Sequence, residues 1–226
     1  MIVENEILNA IKFFAVQKSV DSFNIRLFAN AGRWSLDYTA LRHLQYIMTC
    51  PYCADFRNIL EFGLGVSTDL LLCYASEFKK ELITYEHDED WVEYNFYDVK
   101  YEHFDLRIRP LQEIAYKGQK TLSYENNCTE LLNEGKKFEL IVIDAPFGQP
   151  NYSRPQILFL LPDIINKDNF IIFMDDTERQ GEKQTISEIC RILVENKIKY
   201  QIESYRGEKE HTIICDTNKK YLLSSL

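Results

Sequence analysis

The segment Glu61-Phe62-Gly63-Leu64-Gly65-Val66-Ser67-Thr68 sets an acid at the end of an apolar run, then two glycines one residue apart, then two small hydroxyl residues. That order suits a buried strand that turns into a helix around a nucleotide-like ligand. Glycine lets the main chain approach a ligand closely, and the unpaired N–H groups of a starting helix point at it. A second acid, Glu86, ends the next apolar run 21 residues after Gly65. Together these features predict a bound nucleoside whose ribose hydroxyls donate to Glu86.

Such a loop needs strands to hold it, and the chain supplies them in alternation with helices. Strands are predicted at 58–62, 81–86, 104–109, 138–143 and 170–174, with two more at 198–204 and 210–216. Helices are predicted at 67–77, from an Asp88 cap to about 99, from Pro155 through Ile165, and at 181–196. Residues 110–137 carry no clear pattern beyond a short helix near 129–133. Alternation of this kind implies a mainly parallel sheet covered on both faces. The last two strands lack a helix between them, so they should form an antiparallel edge hairpin. Apolar stripes at 4–18 and 35–48, the second capped by Ser35, read as a helical extension at 1–50 packed on a single domain spanning 1–226.

The chain has 226 residues and a net charge of −9. An acidic surface repels polyphosphate, so nucleic acid is a poor partner and a small polar or sugar-like molecule a better one. The acidic start Met1-Ile2-Val3-Glu4-Asn5-Glu6 is unlike a signal peptide, and no run reaches the length of a membrane span. A cytoplasmic location with reduced cysteines is expected. Cys50-Pro51-Tyr52-Cys53 lacks the second pair that zinc needs, and it follows a helix rather than a strand, so these cysteines read as structural.

The order of elements and the four acidic strand ends resemble the class I S-adenosylmethionine-dependent methyltransferases over residues 55–216. Glu61 through Thr68 is similar to their first motif, Glu86 to their ribose-binding acid, and Asp144 in Val142-Ile143-Asp144-Ala145-Pro146 to their fourth motif. Asp175-Asp176 is similar to the acidic pair of their small-molecule O-methyltransferases. The resemblance implies a three-layer Rossmann-like fold with a seven-stranded sheet and S-adenosylmethionine as cofactor. A dinucleotide site would want a third glycine where Thr68 stands, and a Walker loop would want Gly-Lys-Ser/Thr.

By that resemblance Glu61, Gly63 and Gly65 surround the amino-acid part and sugar of the cofactor, while Ser67 and Thr68 meet an anion at the helix start. Glu86 takes the ribose. His87 and Trp91 join the cofactor set, with Trp91 placed either near adenine or in the core; Leu111 and Gln112 complete the adenine region. Asp144, with Asp176, is the expected catalytic acid pair, Asp144 serving as base for a hydroxyl nucleophile, binding the cofactor ammonium or orienting substrate. In the catechol-type enzymes acids at these strand ends hold a divalent metal, so Asp144, Asp175 and Asp176 could bind Mg²⁺. The sequence departs from their Asp-Asn pattern, and Asp176 could pair with Arg179 instead. Arg154 and Arg179 are candidate forks for an acidic substrate group. Arg33-Trp34-Ser35 and the 147–153 loop could line the acceptor pocket. His43 reads as structural and His211 as a lesser alternative base.

The expected activity is methylation of a hydroxyl on a small molecule or sugar. The Asn-Pro-Pro-Tyr signature of many amino-group methyltransferases is absent. A non-catalytic sensor of the cofactor and an aminopropyl transferase of the same fold are the alternatives.

Overall fold

The computed structural model describes residues 35–50, 56–96 and 102–226. The helix expected at 4–18, Arg33-Trp34 and Pro51–Cys53 lie outside the described residues.

Among the described residues nine strands run in chain order as β1 (Asn58–Phe62), β2 (Glu81–Glu86), β3 (Phe104–Ile108), β4 (Leu111–Tyr116), β5 (Gln119–Tyr124), β6 (Leu140–Ile143), β7 (Ile171–Met174), β8 (Tyr200–Arg206) and β9 (Glu210–Asp216). Seven of them form one sheet in the order β3-β2-β1-β6-β7-β9-β8. The first five pair in parallel; β9 runs antiparallel between β7 and β8. Successive strand residues face opposite sides, so each central strand feeds two cores. Ile59, Leu82, Leu140, Val142, Ile171 and Phe173 join one core, with α1 (Tyr38–Thr49) and α2 (Val66–Phe78) over it. Leu60, Phe62, Ile83, Tyr85, Ile141 and Ile143 join the other. Both sides of the sheet are therefore dry, which is why β6 and β7 read as unbroken apolar runs.

Three local expectations are corrected. Residues 111–124, which showed no pattern, are the hairpin β4–β5, in register from Leu111↔Tyr124 to Tyr116↔Gln119. Its loop is Lys117-Gly118, with φ of 48° and 77°; a two-residue turn with both φ positive matches the right-handed twist of the strands. Between β2 and β3 the predicted helix is α3 (Glu89–Phe96), and the short helix near 129–133 is α4 (Glu130–Glu134). The helix predicted from Pro155 through Ile165 stops early, as α5 (Gln156–Leu160). Pro162 forces Leu161 into extended backbone (φ −76°, ψ 145°), and Ile164 and Ile165 reach the core by another path. Ser35 does not cap α1. Asp37 does, its Oδ1 accepting the Ala40 N–H at 2.8 Å. The helix predicted at 181–196 is α6 (Gln180–Glu195).

Candidate active site

The C-terminal ends of the parallel strands open on a cleft of about 770 Å³, within the range that encloses a small ligand. Gly63 and Leu64 after β1, Glu86 at the end of β2, Asp144 after β6, Asp176 after β7 and Lys209 before β9 all line it. Any other residue at Gly63 would be strained. Its φ is +105°, and a Cβ would sit 2.8 Å from the Cβ of Ala145. The β1 loop is thus pressed onto the β6 loop, and the amides of Asp144 and Ala145 both donate to the carbonyl of Phe62, at 2.8 and 2.9 Å.

Glu86 is 4% exposed. Its Oε2 accepts the Leu64 N–H at 2.9 Å, and its Oε1 accepts the N–H groups of His87 and Asp88 at 2.6 and 3.1 Å. Burial opposes its charge, but His87 and these amides outweigh burial and hold the carboxyl below its ordinary range. The His87 ring lies 2.7 Å from Oε1 and packs edge-on against Phe147 across the cleft. Trp91 Nε1 donates to the carbonyl of Leu64 at 2.7 Å, and the Trp91 amide donates to the Asp88 cap at 3.0 Å. The indole therefore ties α3 to the glycine loop and borders the cleft rather than sinking into a core.

Glu61, Ser67 and Thr68 are placed differently from expectation. The Glu61 carboxylate is fully buried and accepts from Ser67 Oγ at 2.6 Å and from Thr68 Oγ1 and Thr84 Oγ1 at 2.8 Å each. Those hydroxyls serve Glu61, not an anion in the cleft. Thr84 is its partner in the β1–β2 register, so the acid locks the start of α2 to the sheet. Gly65 lies at the N-cap of α2, its amide donating to Thr68 Oγ1 at 2.9 Å. None of Glu61, Gly65, Ser67 or Thr68 lines the cleft.

Burial raises the Glu61 carboxyl from 4.5 to about 7, against the three hydroxyls that lower it. An acid raised on folding contributes its stability below the unfolded value and loses it as pH climbs through the folded one. The loss runs from about pH 4.5 to about pH 7 and amounts to roughly 3 kcal/mol at 1.36 per unit. Urea unfolding at pH 4.5–8 should show Glu61→Gln gaining about that much relative to wild type as pH rises. A difference that stays flat with pH would rule this out.

At the other end of the cleft three carboxylates meet three cations. Arg154 is 2% exposed, and its Nη2 donates to Asp176 Oδ2 at 2.7 Å and to Asp144 Oδ1 at 3.3 Å. Its Nη1 donates to the carbonyls of Asp175 and Ile143, at 2.8 and 3.2 Å. Arg154 is consequently not a free fork for substrate; it joins the ends of β6 and β7. Arg179, half exposed, donates Nη1 to Asp176 Oδ2 at 2.9 Å and keeps its other face toward the cleft. Lys209 Nζ donates to Ser35 O at 2.8 Å and Asp175 Oδ2 at 3.2 Å, and lies 3.3 Å from Asp176 Oδ1. Buried Glu182 stands 4.0 Å from Arg154 Nε, its carboxyl raised by burial. Arg154 and Asp176 both hold left-handed backbone, φ 58° and 60°, a strain typical of sites that the surroundings over-determine.

These contacts split the carboxyls. Burial pushes Asp176 up, but Arg154, Lys209 and Arg179 together bring it below the ordinary range. Asp144 is raised well above that range, by burial first and by Asp175 next, against Arg154 and Lys209. Asp175, with no solvent exposure, is raised by burial and by Asp176. The oxygens of Asp144, Asp175 and Asp176 lie within 4.8 Å of one another, as a metal site would require. Yet Arg154, Arg179 and Lys209 already counter the three carboxylates, so the residues do not fit Mg²⁺ and that expectation is withdrawn.

Lys209 is the residue that sequence reasoning missed. Because β9 runs antiparallel to β7, with Met174 opposite Thr212, the turn before β9 must fall beside Asp175-Asp176. Leu111 and Gln112 open the hairpin and do not line the cleft. His43 Nδ1 and His211 Nε2 are 2.8 Å apart away from the cleft; burial and His43 push His211 down to about 4, which removes it as a base.

No family model matches the chain, and no curated protein matches it by sequence. Solved structures do match its architecture. The chain has the class I methyltransferase fold. A protein assigned as a caffeoyl-CoA O-methyltransferase from Staphylococcus aureus superposes with a TM-score of 0.53 at 12% identity, over 95% of this chain and 99% of that one. The precorrin-6y C5,15-methyltransferase of Geobacter metallireducens gives 0.52 at 11% identity, over 83% and 93%.

Proposed function

We propose that the protein binds S-adenosylmethionine in this cleft and transfers its methyl group to a hydroxyl of a small molecule or sugar. The observation that carries the reading is one cleft lined by the Gly63–Leu64 loop, Glu86 and Asp144, the last a carboxyl raised by burial. When bound, the cofactor supplies an electrophilic methyl group on a sulfonium.

The chain's residues supply everything else. Gly63 brings backbone to the ligand without a side chain in the way, and Glu86 accepts from ribose hydroxyls. A carboxylate has about four lone-pair sites. Three are taken by amides and the His87 ring stands 2.7 Å from Oε1, so binding two hydroxyls requires some of these contacts to let go. His87, Trp91 and Phe147 wall the cleft with flat rings suited to a purine face. Asp144 takes the proton of the acceptor hydroxyl as the oxygen attacks, a step that positioned bases accelerate. Asp176, held ionised between Arg154 and Arg179, keeps Arg154 in place.

An aminopropyl transferase would need acids free to bind a polyamine, and the three strand-end acids here are already countered by Arg154, Arg179 and Lys209. Calorimetry with S-adenosylmethionine and S-adenosylhomocysteine, each with and without Mg²⁺, tests the reading. One site per chain in the micromolar range or tighter, about −8 kcal/mol, is expected, unchanged by Mg²⁺. Binding of neither ligand would overturn it.

A further inference from the structure

The strand-end acids have the spacing of a divalent-cation site, and side chains of the protein itself fill it. Lys209 reaches that place by construction. Its amide donates to Asp37 Oδ2 at 2.9 Å and its carbonyl accepts the Gly207 N–H at 2.8 Å. A Cβ on Gly207 would lie 2.5 Å from Asp37 Oδ2 and 2.7 Å from Thr39 Oγ1, so the turn is wedged against the N-terminus of α1. From there the ammonium enters between Asp175 and Asp176, its side chain 15% exposed. Asp175 Oδ1 and Asp176 Oδ1 are buried and accept no hydrogen bond, although Asp176 Oδ1 lies 3.3 Å from the ammonium. Such oxygens are available as ligands to any cation admitted in its place.

We propose that Lys209 is a tethered cation that occupies the position of a divalent metal and keeps the acceptor site metal-free. Three carboxylates, Asp144, Asp175 and Asp176, face three fixed positive charges, Arg154, Arg179 and Lys209. Adding a divalent ion would leave a desolvated excess of positive charge, so wild-type protein excludes one. Lys209 is a positioning residue: its ammonium is consumed by Ser35 and the two acids, and proton removal falls to Asp144 instead of to metal coordination. The inference extends the methyl-transfer reading, but its test needs neither cofactor nor turnover, so the two can fail separately.

Mn²⁺ binding to the full chain, followed by electron paramagnetic resonance and calorimetry, decides it. Wild type and Lys209→Arg should take up no Mn²⁺ at this site. Lys209→Met, close in length and uncharged, should bind one Mn²⁺ per chain, with affinity raised on the order of 10²-fold by loss of a like charge at contact range. Adding Asp175→Asn to that variant should abolish the binding. If Lys209→Met fails to fold, Lys209→Gln carries the same expectation. One-to-one Mn²⁺ uptake by wild type that Asp175→Asn removes, or a folded Lys209→Met or Lys209→Gln variant that binds none, would overturn the proposal.

Discussion

Asp144→Asn is expected to slow methyl transfer by about 10²–10⁴-fold while leaving cofactor affinity within a few-fold, the range over which a positioned base acts. Asparagine keeps the size and the acceptor oxygen that meets Arg154 at 3.3 Å, so the floor of the cleft stays assembled. What it loses is basicity. The raised carboxyl also fixes the sign of the pH dependence. A base must be ionised to work, so wild-type turnover should climb with pH through a value above the ordinary 3.8, and that climb should vanish in the variant. Steady-state kinetics with the identified acceptor, paired with calorimetry, make the measurement. Turnover above a tenth of wild type would mean that the proton leaves by another route.

Glu86→Ala should weaken S-adenosylmethionine binding on the order of 10²-fold, because hydrogen bonds to a charged acceptor contribute about 1.5–3 kcal/mol each. The structure complicates this variant in a useful way. Glu86 also anchors the amides of Leu64, His87 and Asp88, so the ligand-free protein should lose about 1–3 kcal/mol of stability when they are left without an acceptor. The two effects separate by experiment. Urea unfolding without ligand reads the anchor, and calorimetry on the folded variant reads the ribose. A loss of stability with affinity changed less than about threefold would make Glu86 a loop anchor only.

The sheet was legible because central parallel strands are buried on both faces, and the apolar runs Leu140–Ile143 and Ile171–Met174 could be little else. Which strand ends carry acids was equally legible. What each acid does was not. Glu61 looked like a cofactor ligand from its place beside Gly63, but its side chain points to the opposite face from Phe62 and is consumed by Ser67, Thr68 and Thr84. Partners 6, 7 and 23 residues away decide the matter, and spacing to the glycines cannot show them. The β4–β5 hairpin was missed because its turn is Lys117-Gly118 rather than the more telling Asn-Gly, and because neither strand alternates cleanly. The end of α5 was missed by following Ile164 and Ile165 past Pro162.

Strand pairing at the sheet's edge gives the charge balance of the cleft an order in time. Synthesis runs from the N-terminus, so Asp144, Asp175 and Asp176 all leave the ribosome before Lys209 does. Until the turn at 207–209 docks, those acids have only Arg154 and Arg179 near them, and the sheet cannot close over them dry. A slip of one residue in the β7–β9 register would also turn every β9 side chain to the wrong face and carry the ammonium off its mark. The cleft's charge balance is therefore complete only once the edge strand has docked in register.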